Sequence, residues 1–319
     1  MNKLIVTALL GLATFANANV NAIVSVLPQE TFVKKIGGDK VNVSLMVQQG
    51  QSPHTYEPKP SQMKDISKAD IYFAIDVEFE DVWLKKFQNQ NKKMVVIDMD
   101  EGIEKIEMEE HSHDDDHHDE HSDHKEHDEH DHEKHADHSE HDHEEHAQHE
   151  EEEEEHHHEG KDPHIWTSPT NVKVIAKTIY ENLVKIDKEN QAYYKNNLNK
   201  FLKEIETTDK KIKLLLKDTP KHTKFMVFHP AWGYFAKDYD LTQFAIESGG
   251  KNPKPKQLAY LIDEAKEENV KAIFTAPEFS TSAAKQIANE VGVPVVTISP
   301  LSADWSNNLI KLAKSISNK

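Results

Sequence analysis

The 319-residue chain contains no cysteine. Disulfides and thiolate metal ligands are therefore excluded, and any metal site must be built from imidazole and carboxylate. A basic face is missing as well. Lys and Arg number 38 against 57 Asp and Glu, with no interleaving of basic and aromatic residues, which removes nucleic-acid binding. Long hydrophobic runs are lacking, since the run from Leu4 to Phe15 falls short of the ~20 apolar residues that span a bilayer. Also absent are the His-Glu-x-x-His helix motif of hydrolytic zinc enzymes, Gly-x-Ser-x-Gly and a phosphate-cradling P-loop, although Glu144 follows His143 in a shorter HEEH.

What is present begins with an address. Met1, Asn2 and Lys3 precede that apolar run, and Ala16-Asn17-Ala18 follows it, which is the pattern of a secretory signal cleaved after Ala18. No Cys follows, so a lipid-anchored form is not expected, and the mature chain should carry no membrane span. An unanchored secreted protein of this kind fits a Gram-negative periplasm.

Histidine is concentrated in one place. Residues 109–159 hold 18 of the 22 histidines and 25 of the 57 acidic residues, against only Lys125 and Lys134. The tract thus carries −23 of the chain's −19, leaving +4 for everything else, so the acidity describes this insert alone. Almost no apolar side chains lie within it, and a core that could offset the entropy of ordering is not expected. Its imidazoles and carboxylates suit a divalent metal, zinc first. His118, His121, His124, His127 and His130 recur every three residues, as do His132, His135, His138 and His141, and then His143, His146 and His149. On a helix that spacing drifts by ~60° per step, which predicts overlapping auxiliary weak sites over one continuous metal face. A solvated low-complexity run is the plainer reading.

About 250 of the remaining residues could fold, enough for two lobes of ordinary size. Ala22–Leu27, Val41–Val47, Ile71–Ile75 and Met94–Met99 read as strands, interleaved with helices over Glu30–Ile36, Ser61–Lys68 and Glu80–Gln90. Beyond the tract, Pro169 opens a helix, and a long helical stretch from Gln191 to Lys217 places Tyr194, Leu198, Phe201, Ile205, Ile212 and Leu215 on one face. At 1.5 Å per residue it reaches roughly 40 Å, which suggests a rigid connector between lobes. Phe225–Phe228, Leu241–Ala245, Ala272–Thr275 and Val295–Ser299 then alternate with helices over Pro230–Lys237, Lys256–Glu268, Ser282–Val291 and Trp305–Ser317. Apolar strands alternating with helices predict an α/β fold with a parallel sheet in each lobe, flanked by helices, the lobes facing one another across a cleft. The expected organisation is a signal peptide over 1–18, an N-terminal lobe over 19–188 containing a disordered 109–159 loop, a linking helix over 189–218 and a C-terminal lobe over 219–319.

Only four histidines lie outside the tract. His222 sits in a polar connection and reads as a surface residue. His54 follows a strand and Gly50, His229 ends a strand, and His164 precedes the Pro169 helix; each has an adjacent proline restricting its backbone. Ligands of open parallel sheets bind outside the carboxyl ends of the strands, where these residues fall. One such histidine is ordinarily structural, but three at strand ends in two lobes favour a shared metal site.

The ordered motifs SPHTYEPKPSQ, DPHIWTSP, VFHPAWGYF, TAPEFS and SPLSADW resemble the zinc and manganese substrate-binding proteins of ABC importers, and most closely their periplasmic zinc-binding branch. The resemblance covers nearly the whole mature chain. It implies two α/β lobes on a long backbone helix, one metal at their interface, and His54, His164 and His229 as its ligands, with Zn²⁺ as cargo. It further implies an inner-membrane ABC permease with its cytoplasmic ATPase as partner and a monomeric carrier without catalytic activity. A His-rich insertion before the DPHIW motif is common in that branch. One departure is Ser299, which stands where the family often has a ligating Asp. The fourth ligand is then expected to be a water or a group from the tract, with Glu278 supporting the cleft and Asp304 capping the helix that begins at Trp305. Two other readings remain: a periplasmic zinc buffer or chaperone acting through the tract, and a zinc hydrolase using the open position.

Overall fold

A computed structural model describes residues 19–108, 160–247 and 252–317. The signal segment and all the tract histidines lie outside the described residues. The first lobe opens with β1 (Val20–Val24), α1 (Leu27–Gly37), β2 (Val41–Leu45), α2 (Pro60–Ile66), β3 (Ile71–Ala74), α3 (Glu78–Gln90) and β4 (Val95–Asp98). After the tract come α4 (Pro169–Ile186) and α5 (Gln191–Leu216). The second lobe follows as β5 (Thr223–Val227), α6 (Gly233–Asp238), β6 (Leu241–Ala245), α7 (Pro255–Glu267), β7 (Ile273–Thr275), α8 (Ser282–Val291), β8 (Val295–Thr297) and α9 (Trp305–Ser317).

Both sheets are parallel and have the same order, β2-β1-β3-β4 and β6-β5-β7-β8. Each therefore has a switch point beside its first strand, and the carboxyl ends of all strands in a lobe open at one edge. Period-two alternation places side chains on both faces of the second sheet. Phe225, Val227, Ala245 and Phe274 join the large core that continues into the first lobe, while Met226, Phe244, Ile246 and Ile273 build a smaller core under α7 and α8. Among the described residues no helix is long and apolar enough to cross a membrane.

The 26-residue α5 is the shared spine, ~39 Å long, packing on α1, α4 and α9. Its buried face is Tyr194, Leu198, Phe201, Ile205, Thr208, Ile212 and Leu216. Leu216 replaces the expected Leu215, which is only partly buried, because the step of four from Ile212 stays on the stripe. Phe201 lies against Phe32 of α1 at 5.5 Å between ring centroids, and Phe32 meets Trp305 of α9 edge-on at 5.6 Å.

Two expectations are corrected. The helix expected from Pro230 begins only at Gly233, because residues 229–232 form a turn: Ala231 N donates to the His229 carbonyl, and the buried Gln243 side chain accepts from Trp232 N. Asp304 precedes α9, but its carboxylate accepts from the Asn307 side-chain amide at 3.0 and 3.1 Å, while Asn308 N turns to the Asp304 carbonyl. The helix start is therefore bonded through backbone and Asn307 instead of through a carboxylate cap. Elsewhere the elements lie within a few residues of those expected, and Leu241–Ala245, Ser282–Val291 and Trp305–Ser317 coincide with them.

Truncation of Phe201 would open a cavity where α1 and α5 meet. Phe201→Ala is expected to lower stability by about 3–5 kcal/mol, read as a shift in the urea unfolding midpoint with unchanged slope.

Candidate metal centre

Each of the three isolated histidines is held by its own local device. His54 lies in a 3-10 turn, Pro53–Thr55, after β2; the Ser52 hydroxyl accepts from His54 N, and Gln62 ties the loop to the Leu45 and Met46 carbonyls. His229 stands two residues past β5, in the turn braced by Gln243. His164 is fixed from below by Asp162, whose Oδ1 accepts from both its backbone N (2.8 Å) and its ring Nδ1 (2.7 Å).

The Asp162 segment is clamped onto the second lobe. Tyr234 Oη donates to the Asp162 carbonyl, and Asp162 N donates to the Ile106 carbonyl. A Cβ on Gly233 would come within 2.7 Å of Asp162 Oδ2, so this close approach requires glycine. Next along the chain, Trp166 Nε1 donates to the Pro300 carbonyl while Trp305 Nε1 donates to the Trp166 carbonyl. Ser168 caps α4 by accepting from Asn171 N and donates to Asp238 of α6.

These devices bring the three rings together from two lobes. His54 and His229 are 4.8 Å apart between centroids, His164 and His229 5.1 Å. Their Nδ1 atoms all face carboxylates: His54 to Glu78 at 2.6 Å, His164 to Asp162 at 2.7 Å, His229 to Glu247 at 2.5 Å. A carboxylate accepts only, so each neutral ring places its proton on Nδ1 and leaves a bare lone pair on Nε2. The Nε2 atoms of His54 and His229 are 3.3 Å apart. Two bare lone pairs facing at that distance repel, so a shared proton on His54 or a metal cation must lie between them. A tetrahedral zinc with Zn–N of ~2.0–2.1 Å requires its nitrogens to stand ~3.3–3.4 Å apart. Among the described residues no group of three or more His, Cys, Asp or Glu is gathered in finished ligand geometry. The His54–His229 pair has that spacing, and the His164 ring lies 5.1 Å from the His229 ring between centroids.

Electrostatics distinguish the rings. Burial pulls the His229 imidazole down to about 4, against the opposing bond to Glu247, so this ring is neutral at ordinary pH. At His54 burial acts the same way, but the bond to Glu78 and the charges of Glu78 and Glu247 outweigh it and hold the ring above the usual histidine value. Asp162 Oδ2 and Glu247 Oε2 are buried without a hydrogen-bond partner. Negative charge is therefore in place for a cation bound by neutral rings.

Three positioning carboxylates were not singled out from the sequence. Asp162 lies two residues before His164 in the Asp-Pro-His motif, and Glu247 lies two past β6 as His229 lies two past β5, so strand-end position alone was an available signal. Glu78 opens α3, whose entry is set by Glu80: this buried carboxylate accepts from Ile75 N, Asp76 N and the Ser25 hydroxyl, and burial pushes its carboxyl up to about 7. Ser299 is not directed at the rings. Its hydroxyl donates to Glu278 Oε1 at 2.8 Å and accepts from Leu301 N, so Glu278 and Ser299 brace two loops together. His222 is exposed, as expected.

Two parallel-sheet lobes on one long helix, with imidazoles converging between them, define the two-lobed class of solute-binding proteins. Residues 23–318 match the family described as zinc-uptake complex component A, periplasmic (ZnuA), and the chain belongs to that family. It is 28% identical over 295 residues to the high-affinity zinc uptake system protein ZnuA of Bacillus subtilis strain 168, covering 91% of this chain and 81% of that protein. It is also 28% identical to the zinc-binding protein AdcA of Streptococcus pyogenes, where it spans about half of the relative's length, 51%. Among solved structures, a crystal structure of ZnuA superposes with a TM-score of 0.76 at 37% identity, covering 94% of this chain and 98% of that one. A ZnuA deletion mutant with zinc bound gives a TM-score of 0.75, also at 37% identity and covering 94% and 97%. This is a metal-binding transport family and not an enzyme family.

If Glu247 orients and polarises His229, Glu247→Gln should weaken cation binding by about 10–100-fold. Competition against a chromophoric chelator measures it, and an unchanged affinity would exclude that role.

Proposed function

We propose that the chain is a periplasmic carrier that binds one Zn²⁺ as cargo through His54, His164 and His229 and delivers it to an ABC-type permease. The observation that carries this reading is the 3.3 Å separation of His54 and His229 Nε2 across the two lobes, with every Nδ1 turned to a carboxylate. Membership in the zinc-uptake family and the zinc-binding relatives support it. The boundaries that go with it are a cleaved signal at 1–18, lobes over 19–188 and 219–319, and a linking helix over 189–218.

A hydrated cation entering the cleft exchanges water for the three neutral imidazoles, and Glu78, Asp162 and Glu247 compensate its charge from behind the rings. The fourth position is taken by a water or by a group from the 109–159 tract. An all-imidazole shell suits zinc better than hard, oxygen-preferring manganese. Hydrolysis is disfavoured because Glu78, Asp162 and Glu247 are each engaged at a ring Nδ1. The stiff α5 favours small tilts and loop movements over wide hinge closure.

A zinc buffer acting through the tract is the competing reading. Deleting residues 111–158 should leave one tightly bound zinc per chain by dialysis and metal analysis, and His229→Ala should remove it. Loss of all tight binding on deletion would establish the buffer. The histidines 118–149 would then be the working sites; under the carrier reading they bind zinc only weakly.

Acid should release the cargo in a defined order. A proton competes with the metal for Nε2, and at His54, whose value is raised, it does so as soon as pH falls through that value. His229, at about 4, stays neutral until far lower pH. Zinc affinity should therefore decline below the His54 value, by about tenfold per pH unit for each proton exchanged. A flat affinity from pH 7.5 to 5, by chelator competition, would contradict a histidine site.

A further inference from the structure

The three rings are unequally reachable from solvent. The His164 and His229 side chains are 5% and 7% exposed, whereas His54 is 26% exposed and its partner Glu78 49%. The open edge of the site is therefore the His54–Glu78 edge, on the first lobe. Across from it, the second lobe presents Phe279, from the loop between β7 and α8.

Phe279 stacks on the His229 ring, with centroids 4.6 Å apart and planes inclined by 26°, and reaches the His54 ring at 6.2 Å. Its other neighbour is Phe228 at 5.8 Å. The ring is half-buried, lying between the imidazoles and the smaller core under α7 and α8, with part of its surface left to solvent. A phenyl group offers no ligand, and in this position it covers a face of His229 and narrows the approach beside His54. Its loop is held by a turn, Phe279 N to the Ala276 carbonyl, and by the Glu278–Ser299 bond to the loop after β8. Glu278 Oε2 is buried without a hydrogen-bond partner, so Ser299 anchors this carboxylate through one oxygen.

We propose that Phe279 is a gating residue for cargo exchange: it limits how fast the cation reaches and leaves His54 and His229, and the Glu278–Ser299 strut holds it in place. The inference rests on the histidine site proposed above. A gate differs from a mere support for His229 in its kinetics. Removing a gate speeds entry and exit together and leaves the equilibrium nearly unchanged, whereas removing a support speeds exit alone and weakens binding.

The test uses the full mature chain with zinc. Association at limiting zinc is followed by tryptophan fluorescence, since Trp166 lies 5.3 Å from His164. Release into excess chelator is followed with a zinc indicator, and the slow phase assigned as the one that His229→Ala abolishes. Phe279→Ala should raise both rate constants by about three- to tenfold, the range expected for loss of an aromatic contact. Phe279→Tyr should restore the original rates, and Ser299→Ala, which frees the strut while keeping the ring, should move both in the same direction as Phe279→Ala. Unchanged rates in Phe279→Ala, or faster release with unaltered association, would overturn the gate while leaving the carrier reading intact. A slow phase that survives in His229→Ala would instead overturn the site itself.

Discussion

Pairing of imidazole Nδ1 with a carboxylate is the interaction on which the rest of the site depends. It fixes the tautomer of each neutral ring and sets negative charge behind it, and the Nε2 atoms of His54 and His229 face one another. The three carboxylates sit on different supports: Glu78 at the start of α3, Asp162 on the segment clamped by Tyr234, and Glu247 just past β6. An error in any one would rotate a ring and misplace its lone pair. Much of the surrounding structure, from the buried Glu80 to the glycine at 233 and the Gln243 brace, serves to hold these supports.

The lobes can present such a site because they are built alike and share a spine. Identical strand orders place the carboxyl ends of both sheets at loop-bearing edges, and α5 contributes a buried stripe to the core common to both. The crossed indole bonds of Trp166 and Trp305 tie the His164 segment to the loop before α9. The apolar face of α5 is buried against α1, α4 and α9. Exposure at the site is greatest at the His54–Glu78 edge, where local opening costs least.

Secondary structure was legible wherever local chemistry and periodicity agreed. Proline at the start of α4, the period-two alternation of Val41–Val47 and the apolar stripe of α5 each state their element without reference to the rest of the chain. The start of α6 was misread because Pro230 resembles a first-turn proline, while the Trp232 amide is taken by a side chain eleven residues away. Leu216 for Leu215 is a smaller case, decided by a helix phase that only packing fixes. At the site, the motifs and the position of histidines at strand ends marked His54, His164 and His229. Phe279 lies within the TAPEFS motif, but nothing there set it apart from any aromatic residue of a loop until its ring is seen against His229.

Sequence by itself determined the ligand chemistry, since a chain without cysteine can offer only imidazole and oxygen, and it determined the alternation that makes two parallel sheets. Tertiary structure decided which carboxylate faces which ring, because Glu78 and Glu247 reach His54 and His229 from elements 24 and 18 residues away. It also decided the role of Ser299: a hydroxyl that could have faced the cleft is bonded to Glu278 instead. The physical reason is that local propensities act within one element, whereas hydrogen-bond direction, burial and ring stacking are set by atoms that only folding brings within reach.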